Sequence, residues 1–248
     1  MNKAPGTDIG GDGRGFPATS PTMMEELGNA DPEVRRRRLE DLVARYWKPV
    51  YCVMRSSWAK SNEDAKDLTQ EFFTRSLLEG SLVRSFDPGK GSFRTFLKGA
   101  LQHFMMNQAR HQATLKRGGE AQMLRLDVPD EEVSSLIADH ASLPPDRLFD
   151  AAWKADVLSR ALRNLEEKLR AEGKQDCFRI FQRYDLGPGP EAPSYKDLAA
   201  EFGMSANLVK HSLDTARAGY RASVTEILRG TVENAELLEQ EIRDLFGA

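Results

Sequence analysis

From Asp31 onward the apolar residues of this chain recur at steps of three and four, as in Leu39, Leu42, Val43, Tyr46, Val50 and Val53. That spacing fits one face of an α-helix and not the two-residue alternation of a half-buried strand. Asp31 and Pro32 supply the start: a side-chain acceptor, then a residue whose missing N–H costs nothing in a first helical turn. A second helix is expected from Ser61 or Asn62, with Glu63 and Asp64 in its positive first turn and Ala65, Leu68, Phe72 and Leu77 on its buried side. Gly80 ends it, and Ser85–Ser92 (SFDPGKGS) reads as a turn-rich loop. A third, long helix is expected from about Ser92 to Lys116, stopping at Gly118-Gly119.

The same period continues further on, so the predicted fold class is all-α: two small helical domains joined by an acidic linker, the second containing a helix-turn-helix. A length of 248 residues favours two domains. Residues 1–30, rich in Gly, Pro, Ser and Thr and without a helical period, are expected to be a disordered leader. Residues 31–119 form the first helical domain. In 120–150, eight Asp or Glu face only Arg125 and Arg147, and Pro129, Pro144 and Pro145 interrupt, which reads as a tether. Its acidity either keeps it soluble or lets it lie in a basic channel of a partner.

The second domain, 151–229, opens with Val157, Ala161, Leu162, Leu165 and Leu169, followed by Cys177, Phe178, Phe181 and Tyr184 on another helix. After a break at Leu186–Pro193 (LGPGPEAP), Ser194 caps a short helix, Tyr195–Phe202, with Leu198, Ala199 and Phe202 inward. Gly203-Met204-Ser205 turns, and Ala206–Arg221 forms a longer helix with Leu208, Val209, Leu213, Ala216 and Tyr220 apolar. This is helix-turn-helix patterning: small Ala199 permits a close crossing, Gly203 makes the turn and Ser205 caps the second helix. Asn207, Lys210, His211, Asp214, Arg217 and Arg221 then fall on the outer side or toward the end of that helix. Early residues there suit base edges and basic ones suit phosphates, although a plain helical hairpin with a polar face would use the same pattern. The tail, 230–248, carries Leu237, Leu238, Ile242, Leu245 and Phe246 at helical spacing, and either caps the second domain or docks on another protein.

Charge is distributed unevenly. Acidic residues outnumber basic ones by 38 to 35, yet between Pro88 and Gly119 there are six Lys or Arg and no Asp or Glu. Lys90, Arg94, Lys98, Arg110, Lys116 and Arg117 alternate with Phe93, Phe96, His103, Phe104, Met105, Met106 and the amides Gln102, Asn107, Gln108 and Gln112. Phosphates call for the cations, and unpaired bases call for flat apolar faces and amides. A solvated cationic face is the plainer reading of such a run. Just upstream, however, Glu63, Asp64, Asp67 and Glu71 are offset only by Lys66 and Arg75. Adjacent surfaces of opposite sign suggest two partners, one a basic protein and one a nucleic acid. The Arg35–Arg38 run reads as the solvated start of the first helix, with a nucleic-acid role as the other option.

Other classes find less support. No apolar run approaches the roughly 20 residues of a membrane span, and the first 30 residues carry no signal-peptide core, so the expected location is the cytoplasm. Cys52 and Cys177 are far apart and outside any CxxC pattern, and His103, His111, His140 and His211 show no ligand spacing, so free buried thiols, no metal and no cofactor are expected. The Gly89-Lys90-Gly91-Ser92 element is not a phosphate loop, because Arg84 stands where its first glycine belongs. No nucleophile and base or carboxylate pair sits at catalytic spacing, so an enzyme is not expected.

Taken together, the motifs resemble those of bacterial RNA polymerase sigma factors of the extracytoplasmic-function (ECF) type within the sigma-70 family. Glu63-Asp64-Ala65-Lys66-Asp67-Leu68-Thr69-Gln70-Glu71-Phe72-Phe73 is similar to the family's acidic helix, and Gly91-Ser92-Phe93-Arg94-Thr95-Phe96-Leu97 to the string that opens its promoter-melting helix. Ser194–Arg221 resembles its terminal helix-turn-helix. The resemblance implies a factor that binds core RNA polymerase through Asp64, Asp67, Gln70 and Glu71. It assigns single-strand capture at the nearer promoter element to Lys90, Phe93, Arg94, Lys98, His103, Asn107, Arg110, His111, Lys116 and Arg117. Duplex reading of the more distant element falls to Ser205, Asn207, Lys210, His211, Arg217 and Arg221. The implied partners are core polymerase and promoter DNA, with room for an anti-sigma regulator and a monomeric free state. Many relatives carry R-N-x-x-x-D in the melting helix where this chain has Gln102, His103 and Asn107, so their promoter sequence does not transfer. A stand-alone helix-turn-helix regulator of duplex operators would explain 194–221 but leave the acidic and the basic helices without a task.

Overall fold

The computed structural model describes residues 31–57, 61–78, 82, 85–112, 137–140, 142–187 and 193–247. Among them the regular structure is helical and no strand occurs. The chain divides into two compact units, Met1–Asp156 with Arg229–Ala248, and Val157–Leu228.

In the first unit, α1 (Pro32–Ser57) begins as expected: Asp31 Oδ1 accepts from the Glu33 N–H at 2.9 Å. The helix runs on through Pro49, whose ring nitrogen carries no N–H to donate within the helix. Leu42, Val43, Tyr46, Val50 and Val53 are buried, and so are Tyr51, Cys52 and Met54, so this end of α1 is enclosed on several sides. Burial pushes the Cys52 thiol up to about 12, which keeps it protonated and unreactive, while Cys177 is half-buried.

Helix α2 (Asn62–Phe73) starts with a reciprocal capping box: Ser61 Oγ accepts from the Asp64 N–H at 3.1 Å and Asp64 Oδ2 accepts from the Ser61 N–H at 3.1 Å. Ala65 and Phe72 are buried as expected, joined by Thr69 and Phe73, while Leu68 is half-buried. Thr69 tolerates burial because its hydroxyl donates to the Ala65 carbonyl at 2.7 Å. A π-helical stretch, Thr74–Leu78, follows. After a short 3-10 turn at Pro88–Lys90, α3 (Phe93–Gln112) turns Phe93, Leu97, Leu101 and Met105 inward.

The expected tether overlaps with structure. Residues 120–136 lie outside the described residues, but α4 (Pro145–Ala171) already begins at Pro145. Pro145 is not an interruption but the first residue of a helix, where proline is at home, and the Leu148 N–H returns to the Pro144 carbonyl at 2.9 Å. Leu148, Phe149, Ala152 and Trp153 are fully buried. The Trp153 ring stacks on Tyr46 (centroids 4.8 Å apart, planes at 11°), and Tyr46 also meets Phe93 at 5.2 Å. Residues 145–156 therefore complete the core of the first unit.

The second unit takes the rest of α4, then α5 (Gln175–Asp185), α6 (Tyr195–Phe202) and α7 (Ala206–Arg229). Its core is Leu165, Leu169, Phe178, Ile180, Phe181, Leu198, Val209, Leu213 and Ala216. Helix α7 runs two turns beyond the expected Arg221. The tail forms α8 (Ala235–Phe246), capped by Asn234, which accepts from the Leu237 N–H at 2.9 Å. It belongs to the first unit rather than capping the second.

A Trp153→Ala variant is expected to lose about 3–5 kcal/mol, the usual cost of emptying a large aromatic site. Urea denaturation of the full chain measures this, and a loss below about 1 kcal/mol would contradict a central place for this ring.

Candidate functional site

On α2, the residues expected at the polymerase contact are arranged by helical period: Asp64, Asp67 and Glu71 are three and four apart and share one face. Asp64 and Asp67 are exposed, and Gln70 and Glu71 half-exposed. Glu63 pairs with Lys66 at 3.1 Å and Glu71 with Arg75 at 2.8 Å. Asp64 has a second task, because its carboxylate closes the capping box at Ser61. Asp67 is therefore the exposed carboxylate of this face that can be changed without disturbing the helix start.

The loop before α3 is ordered by its own side chains. Asp87 Oδ1 accepts from the Gly89 N–H at 3.1 Å and its other oxygen lies 2.9 Å from Lys90 Nζ. The bond from Lys90, helped by that from Gly89, holds the Asp87 carboxyl below its ordinary pKa. Gly91, at φ 149°, makes the turn into α3.

Along α3 the expected capture residues separate into two groups. Thr95, Gly99, Gln102, His103 and Met106 are exposed at intervals of three, four and seven, which makes one outward stripe, with Asn107 half-exposed beside it. His103 Nδ1 and Asn107 Nδ2 are 3.2 Å apart, an i, i+4 pair across the edge of this stripe. Met106 stands 51% exposed. Phe93 and Arg94 face the other way: Phe93 is a core ring, and Arg94, only 2% exposed, lies within the first unit. Lys98 is half-buried and donates to Asp150 Oδ2 at 2.7 Å. Arg110 and His111 occupy the last turn of α3, and Lys116 and Arg117 lie outside the described residues. Gln102 and Met106, read from the sequence only as members of the basic and aromatic run, stand on the outward stripe with His103.

In the second unit, Ser194 and Asp197 form a capping box at the start of α6: Ser194 Oγ accepts from the Asp197 N–H at 3.2 Å, and Asp197 Oδ2 accepts from the Ser194 N–H at 3.0 Å. Gly203 takes the left-handed conformation (φ 65°), and the Met204 N–H returns to the Ala199 carbonyl at 3.0 Å. Ser205 caps α7, its Oγ accepting from the Leu208 N–H at 3.3 Å. Asn207, Lys210, His211, Asp214 and Arg221 are exposed on α7. Leu208 also stands outside, 48% exposed, so the buried stripe is Val209, Leu213 and Ala216.

Arg217 is engaged within the unit. It grips Asp185 with two bonds, Nε at 2.9 Å and Nη2 at 2.7 Å, and lies over the Tyr184 ring at 5.5 Å. The bonds to Asp185 raise its pKa further, so it is permanently charged and fastens α7 to α5. The result is a two-helix hairpin whose second helix offers its N-terminal residues and a row of polar side chains to the outside, the geometry that lets a helix enter a DNA groove.

A family model described as ECF sigma factor matches residues 24–226. The chain belongs to the ECF sigma factor family. Sigma factors of this family are transcription initiation factors rather than enzymes, and they act with core RNA polymerase and promoter DNA. No curated protein and no solved structure matches the chain. The acidic face of α2, the outward stripe of α3 and the hairpin of α6 and α7, apart from the last three residues of α7, fall inside the matched residues of this sigma factor. Among its described residues no helix is long and apolar enough to cross a membrane.

The caps give two expected outcomes. Ser61→Ala is expected to cost about 1 kcal/mol of first-unit stability, read by urea denaturation; an unchanged midpoint would contradict the capping role. The bonds from Ser194, hydroxyl first, hold the Asp197 carboxyl below its ordinary pKa. A carboxyl depressed in the folded state stabilises fully above its unfolded pKa and loses that contribution as pH falls through the folded value. Ser194→Ala is therefore expected to raise the Asp197 pKa in an NMR titration and to reduce the acid sensitivity of this unit; an unmoved pKa would contradict the box as its cause.

Proposed function

We propose that this sigma factor divides its work between three surfaces. The acidic face of α2, with Asp64, Asp67, Gln70 and Glu71, docks on a basic surface of core polymerase. The loop at Lys90 and the stripe of α3, with Gln102, His103, Met106, Asn107 and Arg110, captures the nearer promoter element as a single strand, assisted by His111, Lys116 and Arg117. The α6–α7 hairpin reads the more distant element as duplex, with Asn207, Lys210 and His211 toward base edges and Arg221 toward phosphate. Ser205 positions the helix that does the reading.

The observation that carries this reading is the division of charge and polarity between neighbouring helices. Helix α2 exposes carboxylates, whereas α3 exposes an amide, an imidazole and a thioether and, among its residues, has no acid at all. Such a stripe suits splayed bases, which stack on apolar or flat side chains at about 1–3 kcal/mol each and bond to amides through their edges. Strand separation is then driven by binding: each base leaving the duplex loses a few kcal/mol and regains a similar amount on the protein. The polymerase supplies the chemistry. Free in solution the factor is monomeric, and an anti-sigma protein could restrain it by covering the same surfaces.

Asp67→Lys is expected to weaken core binding by at least about tenfold while leaving helicity unchanged, measured by competition against the wild-type chain. Equal affinity would refute the docking face. Arg110→Ala with Lys116→Ala is expected to slow promoter opening and reduce the salt slope by about 1.4, two single-strand phosphates' worth. If only duplex binding to the distant element changed, the division of labour would be wrong.

A further inference from the structure

Arg94 carries a full charge, is buried in the first unit and is bonded by carboxylates of α8 and α4. Its Nε donates to Glu241 Oε1 at 2.5 Å and its Nη2 to Glu241 Oε2 at 3.1 Å, so the guanidinium fork meets a carboxylate edge-on. Nη1 donates to Asp150, and Asp244 lies 3.7 Å from Nη2. Burial works against the Arg94 charge, but the bonds and attraction of Glu241, followed by those of Asp150 and Asp244, outweigh it. Glu241 is itself only 2% exposed.

Around that carboxylate α8 is built to attach. Leu238 and Leu245 stand one turn before and one turn after Glu241 and are buried, so the inner stripe is apolar with a single charge at its centre. The Lys154 ammonium lies 4.8 Å from the centre of the Phe246 ring at the end of the helix. One turn along α3 from Arg94, Lys98 is held by the same Asp150 that bonds Arg94. Two cations at the start of α3 are thus neutralised by carboxylates of the chain's own α4 and α8.

A carboxylate that accepts two parallel N–H bonds from arginine presents the same two-oxygen edge as a nucleic-acid phosphate. We propose that α8 is a built-in competitor for nucleic acid, with Glu241 holding on Arg94 the position of a phosphate of the captured strand, so that full capture requires α8 to leave. The inference rests on the functional reading above. The exchange replaces one anion by another on the same guanidinium, so it leaves no charge buried without a partner. While α8 is in place, binding is weakened by the fraction of molecules in the closed state.

The test follows hydrogen exchange in the full chain bound to core polymerase, before and after adding a promoter fragment already unpaired over the nearer element. Backbone amides of residues 239–246 are expected to lose protection at least about tenfold when the fragment binds, while those of α3 keep theirs. Protection of α8 that persists in the DNA complex overturns the proposal. Glu241→Gln, checked for its melting transition, is expected to tighten binding of the fragment by about tenfold. A folded E241Q holoenzyme with wild-type affinity overturns the proposal too, and if this variant does not fold the exchange experiment decides. A chain that never joins core polymerase overturns the functional reading and this inference with it, whereas a holoenzyme that binds the fragment with α8 still protected removes this inference alone.

Discussion

The first unit depends on the stack of Trp153 against Tyr46. Tyr46 comes from the middle of α1, meets Phe93 at the entrance of α3 at 5.2 Å and stacks on the indole from α4 at 4.8 Å. Three helices distant in sequence are thereby fixed around two planar rings, each of which buries a large apolar area. The consequence reaches the candidate surfaces. With Phe93 held inward, the helical period of α3 turns Gln102, His103 and Met106 outward, and with α4 anchored at Trp153, Asp150 lies one turn earlier and within reach of Arg94 and Lys98.

Electrostatics determine which cations are available to a partner. Arg94 and Arg217 are each fastened by carboxylates of the same chain, Arg94 deep in the first unit and Arg217 between α7 and α5. Both serve first as ties between helices. Lys210 and Arg221 remain exposed, as does Lys90, which pairs with Asp87 at 2.9 Å. An overall charge of −3 disfavours indiscriminate coating of nucleic acid.

Local features were legible in the sequence. The Asp31, Ser61 and Ser194 starts, the Gly203 turn and the Ser205 cap all act within a few residues and were legible as such, whereas the reciprocal carboxylates Asp64 and Asp197 that close the two capping boxes were not. The acidic run ahead of α4 concealed Leu148, Phe149 and Trp153, since prolines and charge read as a tether although proline also opens helices. The state of Arg94 was not legible at all. Its partners Asp150 and Glu241 are 56 and 147 residues away, and no period links them. Leu208 shows the reverse: apolar in type, it lies outside because the stripe of α7 passes through Val209.

On the proposed reading, this ECF sigma factor joins core polymerase and opens a promoter through the surfaces of its first unit. The direct measurement combines the purified full chain with bacterial core polymerase, isolates the complex by size exclusion at moderate salt, and probes promoter fragments with permanganate for unpaired thymines. A one-to-one complex that makes thymines reactive at the nearer element only when the factor is present is the expected result. A chain that elutes free while the same core accepts a control sigma factor, or a complex whose promoters stay fully paired, would contradict the account.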